Sequence, residues 1–178
     1  MADSQDWVIA PPPQAAVPVV GGGRFPVRRI YCVGRNYAAH VREMGGNERE
    51  PPFFFQKPAD ALVPSGATIA YPMATQDFQH EIELVLAING RGRNVAVSGA
   101  RALVYGVAVG IDLTRRDLQF AARDAKRPWE PGKAFDASAP ITAIVPLGNA
   151  PIPMTGRIAL SVNGVVKLVS LGADQASR

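Results

Sequence analysis

His80-Glu81-Ile82-Glu83-Leu84-Val85-Leu86-Ala87-Ile88 is the stretch that decides how this chain folds. Acids alternate with aliphatics, and an unbroken apolar run follows. Side chains of a β-strand point to alternate faces, so Glu81 and Glu83 share one face while Ile82 and Leu84 take the other. Two steps of strand rise put their Cα atoms about 6.5–7 Å apart. At that spacing both carboxylates can close on one hard cation. Without a cation, two like charges on a half-buried strand repel, and each is costly to desolvate. The competing reading is a solvated strand face carrying two ordinary surface acids.

A third acid favours the cation. Tyr105-Gly106-Val107-Ala108-Val109-Gly110-Ile111 is an apolar run that ends in Asp112. An acid at the end of a buried strand is expensive unless it has a partner. Glu81, Glu83 and Asp112 together form a hard-oxygen set that suits Mg²⁺, Mn²⁺ or Ca²⁺ better than Zn²⁺. Taken alone, Asp112 would serve equally well as the cap of a following helix.

Other polar residues extend the candidate site. His40 and Glu43 are three apart on a predicted short helix and so share a face. With the glutamate accepting from one imidazole nitrogen, the other nitrogen could take a proton from water. A His-x-x-Glu pair is more often a plain surface pair. Arg115, Arg116, Asp117 and Gln119 follow Asp112 closely, and Lys133 lies in Trp129-Glu130-Pro131-Gly132-Lys133-Ala134-Phe135. Such donors could bind a substrate carboxylate or a developing oxyanion. Solvated loop chemistry is the better account of Arg115 and Asp117.

Composition sets the bounds. The chain has 178 residues, 47% of them hydrophobic and 19% charged, enough for one domain with a core. The longest uncharged apolar run, Ala102 to Ile111, is too short to span a bilayer. No basic region followed by a long apolar core opens the chain, so no secretory signal is read and a cytoplasmic enzyme is the default. The lone Cys32 excludes an internal disulfide and reads as a small buried hydrophobe in a β-type run. The net charge of +4 comes from scattered residues. That pattern argues against nucleic acid as a partner, as the short apolar run argues against a membrane, and it suits a small anionic substrate.

Along the chain, residues 1–23 read as an arm or linker with triple proline, triple glycine and one short strand at Val17 to Val20. Strands are predicted at 27–33, 53–55, 67–71, 81–88, 105–113, 141–145, 157–162 and 165–169. Asn163-Gly164 should make a two-residue type I′ turn between the last two. Short helices are predicted at 37–44, capped by Asn36, and at 99–104, capped by Ser98. Residues 114–126 read as a polar helix or loop. The fold class is α+β and β-rich, with residues 24–169 as the domain and 170–178 as a patternless tail.

Five stretches resemble the fumarylacetoacetate hydrolase superfamily and occur in its order. They are Gly34-Arg35-Asn36-Tyr37-Ala38-Ala39-His40, Gln56-Lys57-Pro58, His80-Glu81-Ile82-Glu83-Leu84, Gly110-Ile111-Asp112-Leu113-Thr114-Arg115-Arg116-Asp117-Leu118-Gln119 and Gly132-Lys133-Ala134-Phe135-Asp136. Single pieces are weak signals, but the ordered set is specific. The resemblance implies a mixed β-sandwich roll and a homodimer. It implies Mg²⁺ or Mn²⁺ on Glu81, Glu83 and Asp112, and a His40–Glu43 dyad that activates water. It also implies substrate or oxyanion contacts from Arg116, Gln119 and Lys133, with Lys57 as a further pocket residue. The implied reaction is hydrolysis of a C–C bond in an acylpyruvate, fumarylpyruvate above all, during aromatic breakdown. A lyase such as one decarboxylating oxaloacetate is the alternative on the same metal site, and a non-catalytic metal-binding fragment is another. Members of the family run on past the hairpin with more strands and a Thr-Gly-Thr-Pro type loop. The fold is therefore expected to be incomplete at the C-terminus, and the chain weakly stable and poorly active alone.

Overall fold

The computed structural model describes residues 7–34, 52–153 and 156–171. Eleven strands are described: β1 Ala16–Pro18, β2 Arg24–Pro26, β3 Ile30–Gly34, β4 Phe53–Lys57, β5 Leu62–Pro64, β6 Phe78–Ile88, β7 Val104–Arg115, β8 Ala139–Ile141, β9 Val145–Pro146, β10 Arg157–Val162 and β11 Val165–Leu171. The α-helices are α1 Val97–Ala100, α2 Arg116–Asp124 and α3 Glu130–Lys133.

The long antiparallel pair β6–β7 is the spine, and β8 and β9 both pair with β7. β5 joins β8 in parallel, which makes this sheet mixed. Three antiparallel ribbons, β1–β2, β3–β4 and β10–β11, pack around it. The β-rich α+β reading therefore holds. Val17, Ala87, Ala108 and Ile144 form the core cluster, and Phe25 stacks on Tyr105 at 5.5 Å beside it. The stretch read as an arm thus supplies a strand and a core residue, Val17, that is 1% exposed.

Several boundaries differ from the sequence reading. Residues 67–71 form no strand, and the pairing segment lies earlier, at β5. Ser98 sits inside α1, whose N-cap is Ala96 with no side-chain hydrogen bond. The stretch 141–145 divides into β8 and β9. Asp112 does not end its strand, because β7 continues to Arg115. It caps no helix either, since α2 begins at Arg116. The hairpin turn is as expected, with φ of 52° at Asn163 and 78° at Gly164.

Helix α2 is anchored at its first turn. The Asp117 carboxylate accepts from Thr75 Oγ1 at 2.6 Å and from the Gln76 N–H at 2.8 Å. These bonds to the ionised form, the Thr75 hydroxyl first, lower its pKa below the ordinary 3.8. A depressed carboxylate stabilises the fold above its unfolded pKa and loses that contribution as pH falls through the folded value. Asp117→Asn is expected to lower the urea midpoint at pH 7, and the gap from the parent should narrow in acid below pH 3.8.

Candidate functional site

The register of the spine assembles the site. Glu81 pairs with Asp112, Gln79 with Thr114 and Glu83 with Gly110. Directly paired residues share a face, as do residues two apart. One face therefore carries Gln79, Glu81 and Glu83 opposite Thr114, Asp112 and a glycine. Glu81 and Glu83 lie on one face, as the alternation predicts, and the register of β6 against β7 adds Asp112 to it.

Two buried lysines reach that face from distant segments. Lys133, at the end of α3, is 2% exposed. Its Nζ donates to Glu81 Oε2 at 2.8 Å, Asp112 Oδ2 at 2.7 Å and Thr114 Oγ1 at 2.7 Å. An ammonium has three N–H bonds, and all three are engaged. Lys57, at the inner end of β4, is also 2% exposed, with its Nζ 2.8 Å from Asp112 Oδ1. It donates to the main-chain oxygens of Leu113, at 3.0 Å, and Lys133. Burial lowers the Lys57 pKa below 10.5, and Asp112 opposes that effect. Aromatic faces line both cations: Lys133 Nζ lies 5.1 Å from the Phe55 ring centre, and Lys57 Nζ 5.5 Å from that of Phe135.

Arg116 completes the network. It donates from Nη2 to Glu81 Oε1, from Nε to Gln79 Oε1 at 2.8 Å and from Nη1 to Gln119 Oε1 at 2.6 Å. Burial alone would raise the Glu81 pKa. The charges and hydrogen bonds of Lys133 and Arg116 outweigh it and hold the pKa at about 2.

Cys32 lies on the inner face of the β3–β4 ribbon, paired with Phe55. Burial first, then the Asp112 charge, pushes its pKa up to about 12. The thiol is protonated at neutral pH, and the side chain is half-buried rather than fully buried as the sequence reading has it.

The structure thus brings together Glu81, Asp112, Lys57, Lys133, Arg116 and Gln119, with Glu83 on the same face. His40 and Glu43 lie outside the described residues. Thr114 and Gln79 escape the sequence reading. They stand two residues after Asp112 and two before Glu81, so the same alternation contains the signal for both. Arg115, read as solvated loop, instead stacks its guanidinium 4.2 Å from the Phe135 ring centre.

Among the described residues, no group of three His, Cys, Asp or Glu side chains is arranged to hold a metal ion. Glu81 and Asp112 are bridged by the Lys133 ammonium instead. The donor chemistry nonetheless fits a hard divalent cation. All three acids supply oxygen, and Asp112 Oδ1 is buried with an ion contact but no hydrogen bond.

The family model for the fumarylacetoacetate hydrolase C-terminal region matches residues 29–173. The chain belongs to the fumarylacetoacetate hydrolase family. A fumarylpyruvate hydrolase from a Ralstonia species is 47% identical over 118 residues, which cover 66% of this chain and 61% of that protein. The mitochondrial oxaloacetate tautomerase of Bos taurus is 39% identical over 140 residues, 79% of this chain and 63% of that one. This family member therefore spans less than two thirds of the length of these curated relatives. The crystal structure of fumarylpyruvate hydrolase from Pseudomonas aeruginosa, in complex with Mn²⁺ and pyruvate, is 47% identical with a TM-score of 0.89. That match covers 97% of this chain and 79% of the other. No helix among the described residues is long and apolar enough to cross a membrane.

Proposed function

We propose that the protein to which this chain belongs hydrolyses the C–C bond of an acylpyruvate, fumarylpyruvate first, to give fumarate and pyruvate. The observation that carries the reading is the convergence of Glu81, Asp112 and Lys133 on one sheet face. Support for the substrate comes from likeness to a fumarylpyruvate hydrolase and to a structure described with Mn²⁺ and pyruvate.

Glu81, Glu83 and Asp112 would hold Mg²⁺ or Mn²⁺. When bound, the ion supplies a Lewis acid for the substrate's carboxylate and adjacent keto oxygen. His40, oriented by Glu43, takes a proton from water, and the hydroxide attacks the distal carbonyl carbon. Lys133 and Gln119 stabilise the oxyanion that develops there. For Lys133 this requires one of its three bonds to be exchanged for the oxyanion. Collapse breaks the C–C bond, and the electron pair leaves on pyruvate as its enolate. The proton taken by His40 then completes pyruvate, while the water oxygen stays on fumarate. Lys57 neutralises Asp112, and the buried Arg116 contributes positive charge beside Glu81. A homodimer, with a small keto acid as the only ligand besides the metal, fits this reading.

The test is loss of fumarylpyruvate absorbance with purified protein and Mn²⁺, beside a Glu81→Ala control. Metal-dependent loss that the control lacks is the expected result. A folded protein that binds Mn²⁺ but leaves fumarylpyruvate intact would remove this substrate. Oxaloacetate tautomerisation is the second reading, favoured by relatives of that name at 39% and 36% identity. Both substrates should be assayed side by side.

A further inference from the structure

We infer that Gln79 and Arg116 form a positioning pair that sets the plane of the Glu81 carboxylate for the divalent cation. The inference rests on the metal reading of Glu81 proposed above.

Gln79 is held at both ends of its amide. Its Nε2 donates to Asp77 Oδ1 at 2.9 Å, and its Oε1 accepts from Arg116 Nε at 2.8 Å. Gln119 Oε1 accepts from Nη1 of the same guanidinium at 2.6 Å. Two neutral amide oxygens on two different elements, β6 and α2, therefore fix a planar fork. The direction of its remaining arm, Nη2, is then no longer free, and that arm donates to Glu81 Oε1. Lys133 holds the other oxygen, Oε2, at 2.8 Å. Glu81 is thus gripped at both oxygens by cations of different origin, a buried ammonium shared with Asp112 and a guanidinium locked by amides.

All three nitrogens of this guanidinium make contacts inside the chain, using three of its five N–H bonds. Its geometry suits the orientation of a ligating carboxylate. Outer partners of metal ligands commonly alter metal affinity by about 10- to 100-fold when removed.

Gln79→Leu is the decisive variant, because it removes the Nε acceptor and leaves every ion pair in place. Mn²⁺ dissociation constants would be measured by electron paramagnetic resonance of the free aquo ion, a readout independent of turnover. Gln79→Leu is expected to weaken Mn²⁺ binding by about 10- to 100-fold, with KM at saturating Mn²⁺ unchanged. Arg116→Lys, which keeps a cation near Glu81 but loses the fork, should weaken binding similarly. An unchanged Mn²⁺ constant in Gln79→Leu overturns the inference while leaving the metal reading intact. So does a raised KM with unchanged metal affinity in Arg116→Lys, the pattern of a direct substrate contact. Parent protein that binds no Mn²⁺ overturns the metal reading itself, and this inference with it.

Discussion

Lys133→Ala is expected to lower folding stability by about 3 kcal/mol and to abolish fumarylpyruvate turnover. Lys133 bridges two carboxylates from a position that is 2% exposed, with its ammonium bonded to Glu81, Asp112 and Thr114. Removing one partner of a buried ion pair usually costs about 3–5 kcal/mol, because the opposite charge is stranded. Here neither acid is left wholly alone. Asp112 keeps Lys57 at 2.8 Å, and Glu81 keeps Arg116, so the lower end of that range applies. Against a typical total of about 5–15 kcal/mol the loss is large. Urea unfolding of the parent, Lys133→Ala and Lys133→Met separates charge from packing. Methionine refills most of the volume and restores no charge, so its midpoint should stay near that of Lys133→Ala. Recovery to the parent midpoint in Lys133→Met would mean that packing, not charge, is what Lys133 contributes.

Gly132→Ala should cost about 1–3 kcal/mol and cut turnover by about 100-fold. A methyl group built at Gly132 would lie 2.7 Å from the main-chain nitrogen of Gln119, 2.8 Å from its Cβ and 2.9 Å from its Cα. These atoms belong to α2 and cannot swing aside as a long side chain would. Helix α3 must therefore back away from α2 and carry Lys133 with it. At the oxyanion contact proposed for Lys133, a displacement of about 1 Å is enough for a hundredfold loss. Gly99→Ala is the control. There the added carbon makes only an ordinary contact, 3.4 Å from Val95 Cγ1, and should lower neither midpoint nor rate. If Gly132→Ala behaves like Gly99→Ala, the two helices do not need their close approach.

The outcome at individual residues shows how far local rules reach. The Asn163-Gly164 turn follows from local backbone preference alone, because both central residues of that turn need positive φ. The misplaced strand at 67–71 shows the opposite case. Short apolar runs satisfy strand propensity, but only β5 found a neighbour, the parallel partner β8. Asp112 read as a strand end because its apolar run stops there. Yet β7 runs on through Leu113, Thr114 and Arg115, because β6 continues to pair with them as far as Phe78.

The sequence by itself determined that Glu81 and Glu83 share a face. Alternation of side chains is a property of one extended strand, so Glu81 and Glu83 needed nothing beyond their own spacing. It also held the family's ordered motifs, and with them the match over residues 29–173. The tertiary structure alone decided what meets those acids. Lys133 is 52 residues from Glu81 in the chain, and no local periodicity brings the two to 2.8 Å. That contact depends on the register of β6 against β7, on the inward face of the β3–β4 ribbon and on the glycine that lets α3 touch α2. Each is a long-range packing choice, made where burying a charge without a partner would cost more than the whole fold can spare.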